Sequence, residues 1–146
     1  MDAFPPVQEL LPHRGPAVLL DAVLEDHADG IRATTRITSE HPYFVDGAGV
    51  PAWVGIEIMA QAIAAHAGLE ARRAQKAPNA GMLLGTRRYQ AETAYFPAGM
   101  QLEVTADREF GESGGVAACA CRILAEGRTL VTATLIVVEL DGEKMP

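Results

Sequence analysis

Glu57, Gln61 and His66 are the residues of this chain whose setting calls for a chemical explanation, because they interrupt an otherwise apolar stretch, Val50 to Arg73. Ala, Ile, Met and Leu dominate that stretch, no proline follows Pro51, and basic residues close it, so it reads as one long helix. A carboxylate in such surroundings is costly unless it is paired or used, and a carboxylate put to use there can hold or hand over a proton. At about 100° per residue, Glu57, Gln61, Ala64 and Gly68 share one face, while His66 falls about opposite Glu57. Glu57 is therefore expected to look over a strip of small residues, open to a substrate or a neighbouring subunit. Gln61, one turn on, could orient Glu57 or hydrogen-bond a loop. His66 reads as a satisfied helix-face histidine rather than a catalyst.

A helix that is apolar nearly all round must be wrapped by something. Ahead of it, Pro5 and Pro6 start a single helical turn that Pro12 to Pro16 breaks, and Ala17–Asp26 and Gly30–Ser39 read as two antiparallel strands. Val45 to Pro51 is a loop. Beyond the helix, which ends before the polar Ala74 to Ala80 stretch with its Pro78-Asn79, Gly81–Tyr95, Met100–Phe110, Val116–Ala125 and Arg128–Leu140 read as four strands in meander order. Gly111 to Gly115 turns the chain, and the tail from Asp141 frays. About six antiparallel strands bury one such helix only by curling around it, the hot-dog arrangement of the α+β class. The 146 residues suit a single domain, 1–146. The sheet keeps an open edge and the helix stays incompletely covered, so pairing of two copies edge to edge is expected.

Composition narrows the classes of function. With 49% hydrophobic and 21% charged residues the chain is globular, and no N-terminal stretch reads as a signal peptide or membrane span, which makes the cytoplasm the default. A net charge of −7 argues against nucleic acid as a partner, so any anionic ligand must meet a local basic patch. Cys119 and Cys121 fall on one face of a strand and read as small buried side chains. No P-loop, dinucleotide fingerprint, nucleophile elbow or metal-ligand spacing occurs, so no cofactor or metal is expected.

Four stretches together resemble a known family. Leu11-Pro12-His13-Arg14 followed by Leu19-Leu20-Asp21, then His41-Pro42-Tyr43-Phe44, then Glu57-Ile58-Met59-Ala60-Gln61-Ala62, and more weakly Ala94 to Gly99, are similar in order and spacing to the hot-dog 3-hydroxyacyl-(acyl-carrier-protein) dehydratases of bacterial fatty-acid synthesis, the FabZ and FabA type. The resemblance implies an acyl thioester substrate on acyl carrier protein or coenzyme A. Loss of water from it needs a base for the α-proton and an acid for the leaving hydroxide. Glu57 matches the family's acid. The family's histidine has no counterpart in the shorter loop Val45 to Trp53, where His41 and Asp46 are the nearest candidates for a base. In this respect the chain resembles the predicted dehydratases that accompany aryl-polyene pathways, which share its Gly49-Val50-Pro51-Ala52 and Gly55-Ile56-Glu57 run into Met59-Ala60-Gln61. That implies a histidine-bearing hot-dog paralogue as partner, one composite site per heterodimer, with a homodimer as the alternative.

On this reading Tyr43, Phe44 and Trp53 either wall an acyl tunnel or fill the core. The Gly55 amide could polarise a thioester carbonyl. Arg72, Arg73, Lys76, Arg87 and Arg88, nearly half of the 12 basic residues, could dock an acidic carrier protein and its phosphopantetheine phosphate, or simply be a solvated helix end and a sheet-edge pair. His13 is expected to tie the N-terminal segment to the sheet through its ring nitrogens. A thioesterase, with a carboxylate activating water against the same thioester, and a non-catalytic acyl-binding subunit are the competing functions.

Overall fold

The computed structural model describes residues 4–76, 80–111 and 115–140. The Pro78-Asn79 exit from the helix, the Glu112 to Gly114 part of the expected turn and the tail from Asp141 lie outside them. A single turn, α1 (Val7–Leu10), follows Pro6, and its Val7 and Leu10 are buried. Strands β1 (Ala22–His27), β2 (Gly30–Arg36) and the short β3 (Val50–Pro51) come next. The long helix α2 (Gly55–Arg73) is entered through a 3-10 turn, Ala52–Val54, with Glu57 in its first turn and Arg72 and Arg73 in its last. After it run β4 (Ala80–Ala91), β5 (Tyr95–Phe96), β6 (Gln101–Gly111), β7 (Val116–Ala125) and β8 (Arg128–Leu140).

Six of these strands form one antiparallel sheet in the order β1-β2-β6-β7-β8-β4. It curls around α2, as a hot-dog fold requires, and Ile58, Met59, Ala62 and Ala65 are wholly buried with Ala33, Leu102, Val104, Ile123, Val131 and Leu135 of the sheet. By length and apolarity Ala52–Arg73 would suffice to span a membrane, yet most of it is buried inside the protein as the core helix. Cys119 and Cys121 are free and buried, and burial pushes both thiols up, so they serve as small hydrophobes.

Three expectations need correction. The four strands after the helix are not a meander. β6 pairs with β2 in unbroken register from Gly30↔Asp107 to Arg36↔Gln101 and with β7 on its other side, so both its edges are taken. The outer edge of β8 is what remains for β4, which therefore crosses to the rim of the sheet. There it presents exposed Met82, Leu83 and Leu84 beside an unpaired edge. Secondly, β1 begins at Ala22 rather than Ala17, because residues 17–19 run along α2 and give their backbone groups to Gln61 instead of to a strand. Likewise the strand after the helix stops at Ala91, and Tyr95–Phe96 turns back to pair with Val50–Pro51 ahead of α2.

Candidate active site

Gln61 builds the site. It is completely buried, and its side-chain oxygen accepts the Leu19 amide at 2.8 Å while its nitrogen donates to the Ala17 carbonyl at 2.7 Å and to Glu57 Oε1 at 3.1 Å. One amide thus joins the N-terminal strap to the first turns of α2 and holds the Glu57 carboxylate. The strap is stiffened from its other side. Thr35 donates to the Leu19 carbonyl at 2.6 Å, and the Arg14 guanidinium donates to the carbonyls of Leu11 and His13 at 2.9 and 2.8 Å. Further along, a Cβ on Gly68 would lie 2.5 Å from the Leu10 carbonyl oxygen, so glycine is what lets the strap lie on the helix.

The strip of small residues is therefore not open to a visitor along its whole length. At Gln61 and Gly68 the chain's own residues 10–19 cover it. What the strap delivers is His13, whose Nε2 stands 3.2 Å from Glu57 Oε1, with the Glu57 side chain 45% exposed and that of His13 28%. The pair lies where two hollows meet. A small one of about 180 Å³ is lined by Pro16, Ala17, Leu19, Pro42 and Tyr43 together with His13 and Glu57. A groove of about 460 Å³ runs from the same pair along the uncovered face of α2, over Ala60, Ile63, Ala64 and Ala67, beneath the inner end of β4. A half-exposed carboxyl at the head of an apolar groove can give a proton to, or take one from, a molecule whose chain lies in that groove.

Sequence reasoning assigned His13 to structure and missed its place beside Glu57. The Leu-Pro-His-Arg run singled it out, but nothing in the spacing of residues 13 and 57 brings them together; the Gln61 bonds do.

The remaining expected residues fall into three groups. Tyr43 lines the small hollow and packs edge-on against Trp53 at a centroid distance of 5.7 Å. Trp53 itself is 61% exposed and lines neither hollow, and Phe44 packs on the core, so of the three aromatics Tyr43 alone walls the site. His41 and Asp46 also line neither hollow. His41 Nδ1 accepts the Tyr43 amide at 3.1 Å, its Nε2 is buried with no hydrogen-bond partner, and burial lowers its pKa. Asp46 sits exposed in a tight loop closed by mutual backbone bonds between Val45 and Gly49 at 2.8 and 2.9 Å.

Gly55 is buried and its amide is already given to the Ala52 carbonyl, so it does not serve a thioester. Its glycine has another cause. A Cβ there would lie 2.5 Å from the Tyr89 hydroxyl, which donates to the Ala52 carbonyl and whose pKa burial raises to about 12. The five basic residues do not form one patch. Arg72, Arg73 and Lys76 lie at or just past the C-terminal end of α2, whereas Arg87 and Arg88 immediately precede Tyr89, whose hydroxyl reaches the start of α2, roughly 27 Å away along the helix. Arg73 is moreover bound to the Asp26 carboxylate.

That carboxylate belongs to a second polar cluster at the far end of the groove. His66 Nδ1 meets buried Asp26 Oδ1, 40 residues away in sequence, at 2.7 Å, and Glu70 pairs with Arg108 at 3.0 Å. Among the described residues no cluster of His, Cys, Asp and Glu is arranged to hold a metal.

A curled antiparallel sheet around one central helix, with a carboxyl in the first turn of that helix at the head of a groove, defines a hot-dog protein. The chain belongs to the ApeP-like family, described as ApeP dehydratase, whose model matches residues 5–145. It is similar to the dehydratase heterocomplex ApeI:P from Xenorhabdus doucetiae, with 26% identity over 97% of this chain and 95% of that one and a TM-score of 0.90. More distant structures share the fold alone. They include the Escherichia coli PaaI protein (12% identity, 80% and 81% of the two chains, TM-score 0.61) and a hypothetical thioesterase with coenzyme A from Streptococcus pneumoniae TIGR4 (10%, 82% and 87%, 0.58). No curated protein matches the chain by sequence.

Proposed function

We propose that this chain is the carboxylate-bearing subunit of a 3-hydroxyacyl thioester dehydratase working in polyene-type chain synthesis. Glu57 protonates the departing hydroxide at the head of the groove, the acyl chain lies along Ala60, Ala64 and Ala67, and the thioester enters past Tyr43. The α-proton goes to a base, the C–O bond breaks as the double bond forms, and water leaves. The observation that carries the reading is the placing of the Glu57 carboxyl, held by Gln61, at the junction of the two hollows.

The loop without a histidine and the open β4 edge support a second hot-dog chain as the supplier of the base. Exposed Met82, Leu83 and Leu84 on that edge suit strand-to-strand pairing with it, closing the groove. The heterocomplex formed by the Xenorhabdus relative favours a paralogue over a second copy in that role. Of the basic residues, Arg87 and Arg88, which precede the Tyr89 that reaches the start of α2, are the ones this reading assigns to an acidic carrier protein as it presents the thioester.

The test is a dehydration assay on carrier-bound 3-hydroxyacyl thioesters, with the chain alone and co-purified with a hot-dog paralogue that carries the loop histidine. Enoyl product from the mixed complex, lost with Glu57→Gln, is expected. Free acid as product would make the protein a thioesterase, and unchanged output with Glu57→Gln would make it a non-catalytic subunit.

A further inference from the structure

We infer that His13 is the positioning residue of Glu57, fixing which carboxyl oxygen carries the catalytic proton. The inference rests on Glu57 being the acid, as proposed above. Its starting point is the other side of the imidazole ring. His13 Nδ1 is buried and has no hydrogen-bond partner, whereas Nε2 faces Glu57 Oε1 at 3.2 Å. A proton on Nδ1 would be an N–H buried with nothing to accept it, which is the costlier way to leave a polar atom unpaired. The neutral ring therefore keeps its proton on Nε2, aimed at Oε1.

Oε1 then accepts the Gln61 side-chain amide at 3.1 Å and has the His13 Nε2–H beside it, with Nε2 3.2 Å away. An oxygen that faces two N–H groups is the carbonyl-like oxygen of a protonated carboxyl group. The acid's proton consequently sits on Oε2, which has no hydrogen-bond partner among the described residues and is left to the substrate. When Oε2 gives its proton to the leaving hydroxide, the carboxylate formed keeps the Gln61 amide and the His13 ring N–H facing Oε1. His13 thus acts through Glu57 without touching the reacting atoms, and it explains a histidine in the strap of a chain whose loop has none.

The experiment has two arms. In the mixed complex, His13→Ala is expected to lower kcat about 10- to 100-fold, the range that a misplaced catalytic group costs, with KM nearly unchanged. His13→Gln, which restores an N–H donor, recovers most of that loss. Added to Glu57→Gln, His13→Ala costs nothing more, since its effect passes through the carboxyl. Full activity of His13→Ala, failure of His13→Gln to rescue, or a loss that adds to that of Glu57→Gln overturns the inference.

The second arm needs no turnover. Nitrogen NMR of the chain with 15N-labelled histidine at pH 8, with the His13 signals assigned by their loss in His13→Gln, is expected to show Nε2 protonated and Nδ1 bare. A proton on Nδ1 overturns the inference. A mixed complex with no dehydratase activity would sink the proposed function while this arm still decides the His13 contact.

Discussion

Replacing Gln61 by leucine tests whether one buried amide holds the site together. The change is close to isosteric and removes three hydrogen bonds at once, to the Leu19 amide, the Ala17 carbonyl and Glu57. These losses are unequal. Ala17 is exposed and Glu57 is partly so, and water can replace the lost partner at each. Leu19 is 5% exposed, and its N–H would be left buried and unpaired at a cost of about 1–3 kcal/mol. Gln61→Leu should therefore destabilise the chain by about 2 kcal/mol. At roughly 3 °C per kcal/mol for a chain of this size, Tm falls by about 4–8 °C.

Gln61→Glu sharpens the test, because it keeps an oxygen for the Leu19 amide but sets its second oxygen against the Ala17 carbonyl and the Glu57 carboxylate one turn away. Near pH 7 it should be less stable than Gln61→Leu, and the order should reverse in acid, where the new carboxyl is protonated and can donate. Chemical denaturation at two pH values measures both. A loss below about 0.5 kcal/mol for Gln61→Leu, within the usual range for surface substitutions, would refute the claim that Gln61 locks the strap.

Three further outcomes are expected. Gly68→Ala puts a methyl 2.5 Å from the Leu10 carbonyl oxygen, so it should cost about 1–3 kcal/mol in denaturant unfolding as the strap is pushed off the helix. Gly55→Ala should be destabilising through the Tyr89 hydroxyl, and Tyr89→Phe, which deletes that oxygen, should relieve part of the cost, giving a favourable coupling in a double-mutant cycle; simple additivity would refute it. Burial lowers the pKa of His41, so between that lowered value and the ordinary value near 6.5 the unfolded chain binds the extra proton. Stability should accordingly fall as pH drops through that window, and His41→Gln should flatten the fall in pH-dependent denaturation.

How far the sequence reveals this protein follows from what each feature depends on. The core helix is legible because burial on every side leaves a mark on every residue, and the curled sheet follows from having one such helix and enough strands to wrap it. The place of β4 is not legible. Its alternation is that of any half-buried strand, and Met82, Leu83 and Leu84 look like core until β6 is seen to be occupied on both sides. The strap from Val18 to Leu20 is misread for a related reason: apolar residues that lie along a helix carry the same pattern as residues in a strand, and only the Gln61 side chain tells them apart.

Glu57 stood out because a charge in an apolar helix is an anomaly visible along one dimension, whereas His13 sits in a polar turn where a histidine is ordinary. Its role depends on a partner 44 residues away along the chain, brought to 3.2 Å by hydrogen bonds that a third residue makes to backbone atoms. Backbone atoms have no identity in sequence, so a site assembled through them leaves no motif of its own. The histidine missing from the loop is real, but reading the loop alone made Glu57 seem without a histidine in its own chain. The strap supplies one to the same carboxyl from the opposite end of the fold's N-terminal half, 3.2 Å from Glu57 Oε1, where no reading of the loop would find it.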